Sequence, residues 1–345
     1  MGQQHILAFI DAPDPDNFVM LLALARLNPT ADLHIILTGR PIRFGADRTH
    51  QTWEYDMPSS RLAQEASALR IKNFLRHWGI SVSHVYDGGI APRTLVPHWV
   101  HFAEYYRFLD VDPLQAIRHT ELEELSDLIK LVLTWDGCDV VVGGPMTGLA
   151  KMLVQHPETA DRIRQVHAMF GCWGQVDLMN FDDQPRGAKQ FNVACDPHAA
   201  YLVLNGLSCP IYLMPTEVTR VASIGFVNAQ ALRELLPDNA GSRALYHLYA
   251  LWYDAAVRPR QLKNPSELLF IHDLVGALSL DPNLRDQIYA VVPVEITDIP
   301  HLPKDHAEWG VIHMCQTKTS NIFAATGLRK HGAQLYRETL KRICS

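Results

Sequence analysis

The 345-residue sequence contains no long hydrophobic run. None of its apolar stretches reaches the roughly 18 residues that a membrane-spanning helix needs. Clustered positive charge is also missing. Lys and Arg total 31 against 37 Asp and Glu, a formal net charge of −6 with no basic run, and nucleic-acid binders ordinarily show one. The six cysteines (138, 172, 195, 209, 315 and 344) form no CxxC pair, so they read as reduced thiols rather than a disulfide framework or a zinc knuckle. Absent too are a P-loop, a GxGxxG fingerprint, a GxSxG elbow and an HExxH helix, which argues against the chemistries that need them. The opening Gln3-Gln4-His5 resembles no export signal. These absences lead us to expect a cytoplasmic protein that engages neither membrane nor nucleic acid.

What is present is concentrated at the start. An apolar run, Ile6 to Ile10, ends in Asp11, Asp14, Asp16 and Asn17. A helix-like segment follows, Phe18 to Leu27, and then a second apolar run, Leu33 to Leu37. Run, polar turn, helix, run is the pattern of a βαβ unit. In open α/β sheets the ligand sits at the carboxyl ends of the strands, which is where these four residues would lie. Oxygen donors packed this densely suit a hard cation or a hydroxyl-rich ligand. Helix capping would account for Asp16 or Asn17, not for all four.

The pattern continues along the chain. A polar loop, Phe44 to Ser60, precedes a helix over Ser60 to Trp78. A short strand is expected over Val82 to Tyr86, with Asp87-Gly88-Gly89 as its turn. The aromatic segment Val96 to His119 reads as helix packing or as the wall of a pocket. Further strands are expected at Cys138 to Val142, Val166 to Phe170 and Pro210 to Met214, each closed by a polar or glycine-rich turn. Past His272-Asp273, a β-rich return (Tyr289 to Ile296, Val311 to Gln316) and a closing helix over Asn321 to Arg342 complete the reading. With 48% hydrophobic residues and no evident linker, one domain spanning 1–345 is the economical organisation. The fold class expected is α/β, an open, Rossmann-like, mostly parallel sheet with flanking helices.

Several strand-end motifs, taken in order, resemble the nucleoside hydrolase family, the inosine-uridine preferring N-ribohydrolases. They are DAPDPDN at Asp11 to Asn17, LTGR at Leu37 to Arg40, GPMTGLA at Gly144 to Ala150 and KQFN at Lys189 to Asn192. Asp196-Pro197, PTEVT at Pro215 to Thr219 and His272-Asp273 follow. They run from residue 6 to about residue 282, some four-fifths of the chain. The resemblance implies hydrolysis of the N-glycosidic bond of a nucleoside-like small molecule, assisted by Ca2+, in a homodimer or homotetramer. It implies Asp11 as catalytic base and His272 as the acid that protonates the departing base. It implies Asp11, Asp16, Asn17, the Gly143 carbonyl and Asp273 as metal ligands. For the substrate it implies Asp14, Asp16, Arg40, Asn180, Gln190, Asn192 and Asp273. DAPDPDN is one residue shorter than the family's DxDPxxDD, which leaves Asp14 without an unambiguous counterpart.

Three departures reduce the negative charge of that site. Asn17 stands where the family has a calcium-binding Asp, Gln190 replaces the Glu of AEFN, and Arg40 replaces the Asn of VAGN. Fewer anionic ligands mean a weaker grip on a hard cation. A neutral amide facing a cationic transition state forgoes stabilisation of a few kcal/mol, or ~10²–10³ in rate. Two alternatives stay open on these residues. Arg40 suits a phosphorylated nucleoside, and the same set suits a protein that keeps the fold and binds a ligand without cleaving it.

Overall fold

The protein is described from a computed structural model over residues 3–11, 14–39, 42–43, 55–82, 84–92, 122–173, 190–222, 228–254, 258, 269–299 and 310–345. Arg40, Asn180, most of the loop after residue 43 and the aromatic segment 96–119 lie outside the described residues.

The chain opens with the expected βαβ unit: β1 (His5–Asp11), α1 (Pro15–Leu27) and β2 (Asp32–Gly39). A small ribbon follows, β3 (Ile42–Arg43) against β4 (Tyr55–Asp56), and then the long α2 (Met57–His77) and β5 (Val85–Ile90). The middle of the chain alternates α3 (Leu125–Val132), β6 (Cys138–Val142), α4 (Thr147–Gln155), a 3-10 turn (Pro157–Arg162) and β7 (Ile163–Ala168). Next come α5 (Phe191–Cys195), α6 (Pro197–Gly206), β8 (Ile211–Leu213), α7 (Thr216–Ala222), α8 (Ala229–Leu235) and α9 (Ala240–Trp252). The last stretch holds α10 (Leu274–Leu280), α11 (Pro282–Ile288), β9 (Tyr289–Asp298), β10 (His313–Gln316), β11 (Ile322–Leu328) and α12 (Gly332–Ile343).

Among the described residues, nine strands form one sheet in the order β10-β9-β11-β8-β7-β6-β1-β2-β5. Six of its eight pairings are parallel; only β9 with β11 and β10 with β9 run antiparallel. Alternation along β1 divides its side chains between the two faces. Ile6, Ala8 and Ile10 join one apolar cluster with α1, α9 and α10, and Leu7 and Phe9 join another with α3, α4 and α6. A strand covered on both faces is an unbroken apolar run, which is why this segment shows no polar alternation in sequence. The switch in strand order falls at β1, flanked by β2 and β6, so β1 delivers Asp11 to the crevice where this architecture binds ligands.

Three local expectations are corrected. Residues Asp87-Gly88-Gly89 do not form a turn after a strand over Val82 to Tyr86; they lie inside β5, paired to β2. Within the strand the Asp87 carboxylate is satisfied by Arg61, Gln64 and the Gly89 amide. The second of the three middle strands spans Ile163–Ala168, three residues ahead of its expected start, following directly from the 3-10 turn. The expected closing helix over Asn321 to Arg342 divides into β11 and α12. Its first half has the helical alanines of a helix, but it fills the slot between β8 and β9, where tertiary pairing overrides propensity.

Candidate active site

At the end of β1 the chain turns through Asp14 and Pro15 into α1. Asp14 occupies the N-cap position and makes no capping bond from its side chain; Pro15, with no N–H to lose, takes the first helical position. Asp16 and Asn17 therefore sit in the first turn rather than capping it. Helix capping thus consumes none of the cluster's side chains.

Asn17 is fully buried. Its Nδ2 donates to the Asp11 carbonyl at 2.7 Å and to Asp11 Oδ1 at 3.0 Å. Its Oδ1 is buried with no hydrogen-bond partner among the described residues. That oxygen points at Gly143, where an added Cβ would lie 2.5 Å from Asn17 Oδ1 and 3.2 Å from the Asp273 carboxyl carbon. At Gly144 a Cβ would meet the Asp11 amide at 2.7 Å. The two glycines that close β6 thus let three segments remote in sequence meet: the mouth of β1, the end of β6 and the start of α10.

Asp16 is held by a bond from the far end of the chain, the His272 amide donating to its Oδ2 at 3.2 Å. Burial and then the nearby charges of Asp14 and Asp11 push its pKa up to about 7. Asp273 is buried at the N-cap of α10 without a capping bond from its side chain. His272 accepts from or donates to Thr219 Oγ1 across 2.8 Å at Nδ1. Burial, followed by the Arg220 guanidinium, lowers its pKa to about 3. The ring packs 5.4 Å from Phe270, which Arg220 covers in turn at 5.2 Å. His272 is therefore neutral at physiological pH, a hydrogen-bonding imidazole with no stored proton.

The remaining wall comes from α5. Asn192 Nδ2 donates to the Gly143 carbonyl at 3.0 Å and the Met169 carbonyl at 3.3 Å, tying that helix to the ends of β6 and β7. Gln190 is engaged locally: its Oε1 accepts from the Val193 amide at 2.8 Å as the N-cap of α5. Asp196 caps α6 through the Ala199 amide and accepts from Thr147 Oγ1 at 2.8 Å, which joins the GPMTGLA turn to the DP-initiated helix.

The structure thus brings together Asp11, Asp14, Asp16, Asn17, Gly143, Asn192, Asp273 and the His272 amide at the carboxyl ends of β1 and β6. Sequence reasoning passed over Thr219, Arg220 and Tyr249. Thr219 lies inside the PTEVT motif and Arg220 follows it, so both carried a positional signal. Tyr249 carried none: it is one aromatic among many in α9. Its hydroxyl is wholly buried, with no hydrogen-bond partner among the described residues. Burial, then Asp16, Tyr336 and Asp273, raise its pKa well above the ordinary phenol value, so it stays protonated beside the carboxylates.

Comparison with known proteins adds the following. The family model described as inosine-uridine preferring nucleoside hydrolase matches residues 65–329. An uncharacterized protein of Schizosaccharomyces pombe, C1683.06c, is 33% identical over 98 residues, 28% of this chain and 29% of that protein's length. The solved structure of an inosine-guanosine nucleoside hydrolase superposes with a TM-score of 0.66 at 14% identity, covering 99% of both chains. A purine-preferring ribonucleoside hydrolase from Gardnerella vaginalis gives 0.63 at 16% identity, covering 98% of this chain and 99% of the other. At such identities these likenesses establish the fold.

Proposed function

The chain belongs to the inosine-uridine preferring nucleoside hydrolase family, and from that membership we propose that it hydrolyses the N-glycosidic bond of a ribonucleoside or a modified relative, releasing base and sugar. The observation that carries the reading is the convergence of Asp11, Asp16, Asn17 and Asp273 at the mouth of β1, with the Asn17 Oδ1 buried and unpartnered against Gly143. An all-oxygen donor set with one amide oxygen left without a hydrogen-bond partner among the described residues fits a hard cation. Members of the family typically use a divalent ion, and Asp11, Asp16, Asn17 Oδ1, the Gly143 carbonyl and Asp273 would hold calcium here. Bound there, the ion supplies positive charge that grips vicinal sugar hydroxyls and acidifies a water.

The protein's own groups do the rest. Asp11 is the base for that water, positioned by the two hydrogen bonds from Asn17. As the glycosidic bond breaks, positive charge develops on the sugar, and the Asp11, Asp14 and Asp16 carboxylates face it. Asn192 donates its amide hydrogens to the Gly143 and Met169 carbonyls, which leaves its Oδ1 to accept from a sugar hydroxyl. Tyr249, kept protonated, is a further donor at the cluster. His272, neutral at physiological pH, serves the departing base as a hydrogen-bond donor. Its role as the proton source requires a substrate-bound state that raises its pKa.

Incubating the purified protein with a panel of nucleosides, with calcium and with chelator, tests the proposal. Free base should appear with calcium and fall when it is removed. No free base from any substrate under either condition would sink it. One observation favours a second reading, ligand binding without cleavage: the Gln190 amide is committed to the α5 cap, so no charged group stands at that position. Saturable nucleoside binding with no base released would decide for it.

A further inference from the structure

The opposite end of β1 carries a second constellation, which the reaction above does not use. Parallel pairing sets His5 opposite Asp32, and Asp32 and His34 are two apart on β2, so the three side chains share one face of the sheet. His5 Nδ1 lies 3.5 Å from Asp32 Oδ2, and His34 Nε2 lies 3.0 Å from the same oxygen. Among the described residues this is the one trio of histidine, cysteine or carboxylate side chains whose ligand atoms all stand within 4.8 Å of one another. The acidic cluster at Asp11 is more widely spread.

Proximity alone would mean an ordinary ion-paired histidine. The hydrogen bonding says otherwise. His34 is 4% exposed, yet its Nδ1 has no hydrogen-bond partner among the described residues, the same holds for His5 Nδ1, and His34 Nε2 meets the Asp32 carboxylate as an ion-pair partner. Buried polar nitrogens left in that state are rare in native proteins and call for a partner. Meanwhile Trp135 stacks flat on His5 at 3.9 Å between ring centres, fixing the imidazole plane.

We propose that His5 Nδ1, Asp32 Oδ2 and His34 Nε2 form a second metal site that takes a zinc-class transition-metal dication. Two imidazoles and one carboxylate select that class, whereas calcium and magnesium prefer oxygen donors alone. Tetrahedral ligands at 2.0–2.1 Å from zinc are separated by ~3.3 Å, and the two short edges of this triangle bracket that value. The Asp32 side chain is 45% exposed, which leaves the fourth position open to water. Six residue steps of β1, ~20 Å at the usual strand rise, separate the site from Asp11. An ion held here would clamp the start of β1 to the start of β2 and take no part in the cleavage.

The test is zinc titration of the tag-free, metal-stripped full chain in competition with a chromogenic chelator, with calcium in excess to occupy the all-oxygen cluster. Cobalt substitution is read in parallel for the visible bands of tetrahedral coordination. The parent should bind about one equivalent. His34→Gln and Asp32→Asn should each weaken binding at least ~10-fold and abolish the cobalt bands. Because Asp32 is half exposed, its variant reports on the site even if His34→Gln fails to fold. Zinc binding equally tight in Asp32→Asn, or none in the parent, overturns the proposal. Nucleoside cleavage is not the readout, so this result and that of the previous section are independent.

Discussion

Asp16 offers the sharpest test of the site's electrostatics, through stability rather than turnover. Its pKa is raised from 3.8 to about 7, first by burial and then by Asp14 and Asp11. A raised acid contributes stability that is fully present below its unfolded pKa and is lost as pH climbs through the folded value. Between about pH 4 and pH 7 the unfolded chain sheds this proton while the folded chain resists. A rise from 3.8 to about 7 corresponds to about 4 kcal/mol at most. Asp16 is partly exposed, so screening reduces this to about 2 kcal/mol, or ~4 °C in Tm at most for a chain of this length. Metal-free wild type should therefore lose ground to Asp16→Asn when both are melted at pH 8 rather than pH 5. Saturating calcium at pH 8 should raise the wild-type Tm by mass action and leave Asp16→Asn nearly unmoved. A gap between the two proteins that is identical at pH 5 and pH 8 would refute the reasoning, because Asp16 would then ionise in the folded state as it does in the unfolded one.

Four further outcomes follow from named contacts. Asn17→Asp removes two hydrogen bonds to Asp11 and adds a like charge beside it, so the metal-free protein should lose ~2–3 kcal/mol in urea melts while calcium affinity by calorimetry increases. Gly143→Ala drives a methyl into Asn17 Oδ1 and Asp273; it should cost ~1–3 kcal/mol and eliminate calcium binding, whereas Gly206→Ala, whose Cβ meets nothing within 4 Å, should do neither. Gln190→Ala removes the α5 cap at ~1 kcal/mol and should weaken nucleoside binding through Asn192, with Gln190→Glu retaining the cap, as thermal melts and binding isotherms would show. His167 is wholly buried with its pKa lowered to about 3, so its contribution is present above pH 6.5 and lost as pH falls; ~2–3 kcal/mol should disappear between pH 7 and pH 4.5, a loss that His167→Phe should suppress in urea melts.

The fold was legible wherever one physical signal dominated. Ile6 to Ile10 and Cys138 to Val142 are apolar without alternation because both sheet faces are covered, and each ends where a polar or glycine turn begins. The β11 segment was misread because Ala324 and Ala325 favour a helix locally, and only the partners β8 and β9, whose pairing residues begin 111 and 30 positions earlier, make it a strand. Asp87-Gly88-Gly89 was misread for a related reason. Two glycines and an aspartate look like a turn until Gln64 from α2 is seen to satisfy the carboxylate. Ligand identities at the acidic cluster could be read from motif order; their environment could not. No pattern in the sequence discloses that Asn17 Oδ1 is left without a partner, that Gln190 is occupied with a cap, or that Tyr249 stands against the carboxylates.

Those three facts bear on the departures from the family's charge pattern. Asn17 carries one negative charge fewer than an aspartate would, but its amide does what a carboxylate cannot: it donates twice to Asp11 and still presents an oxygen towards Gly143. An aspartate there would sit beside Asp11, with Asp16 already forced towards protonation by burial and then by its charged neighbours. In the metal-free chain the substitution therefore relieves repulsion that would otherwise oppose folding, at the expense of cation affinity. Gln190 follows the same logic, keeping a cap and giving up a charge. The site is thus built to be stable before the ion arrives, and weaker calcium dependence than an all-aspartate cluster would show is the expected consequence of its geometry.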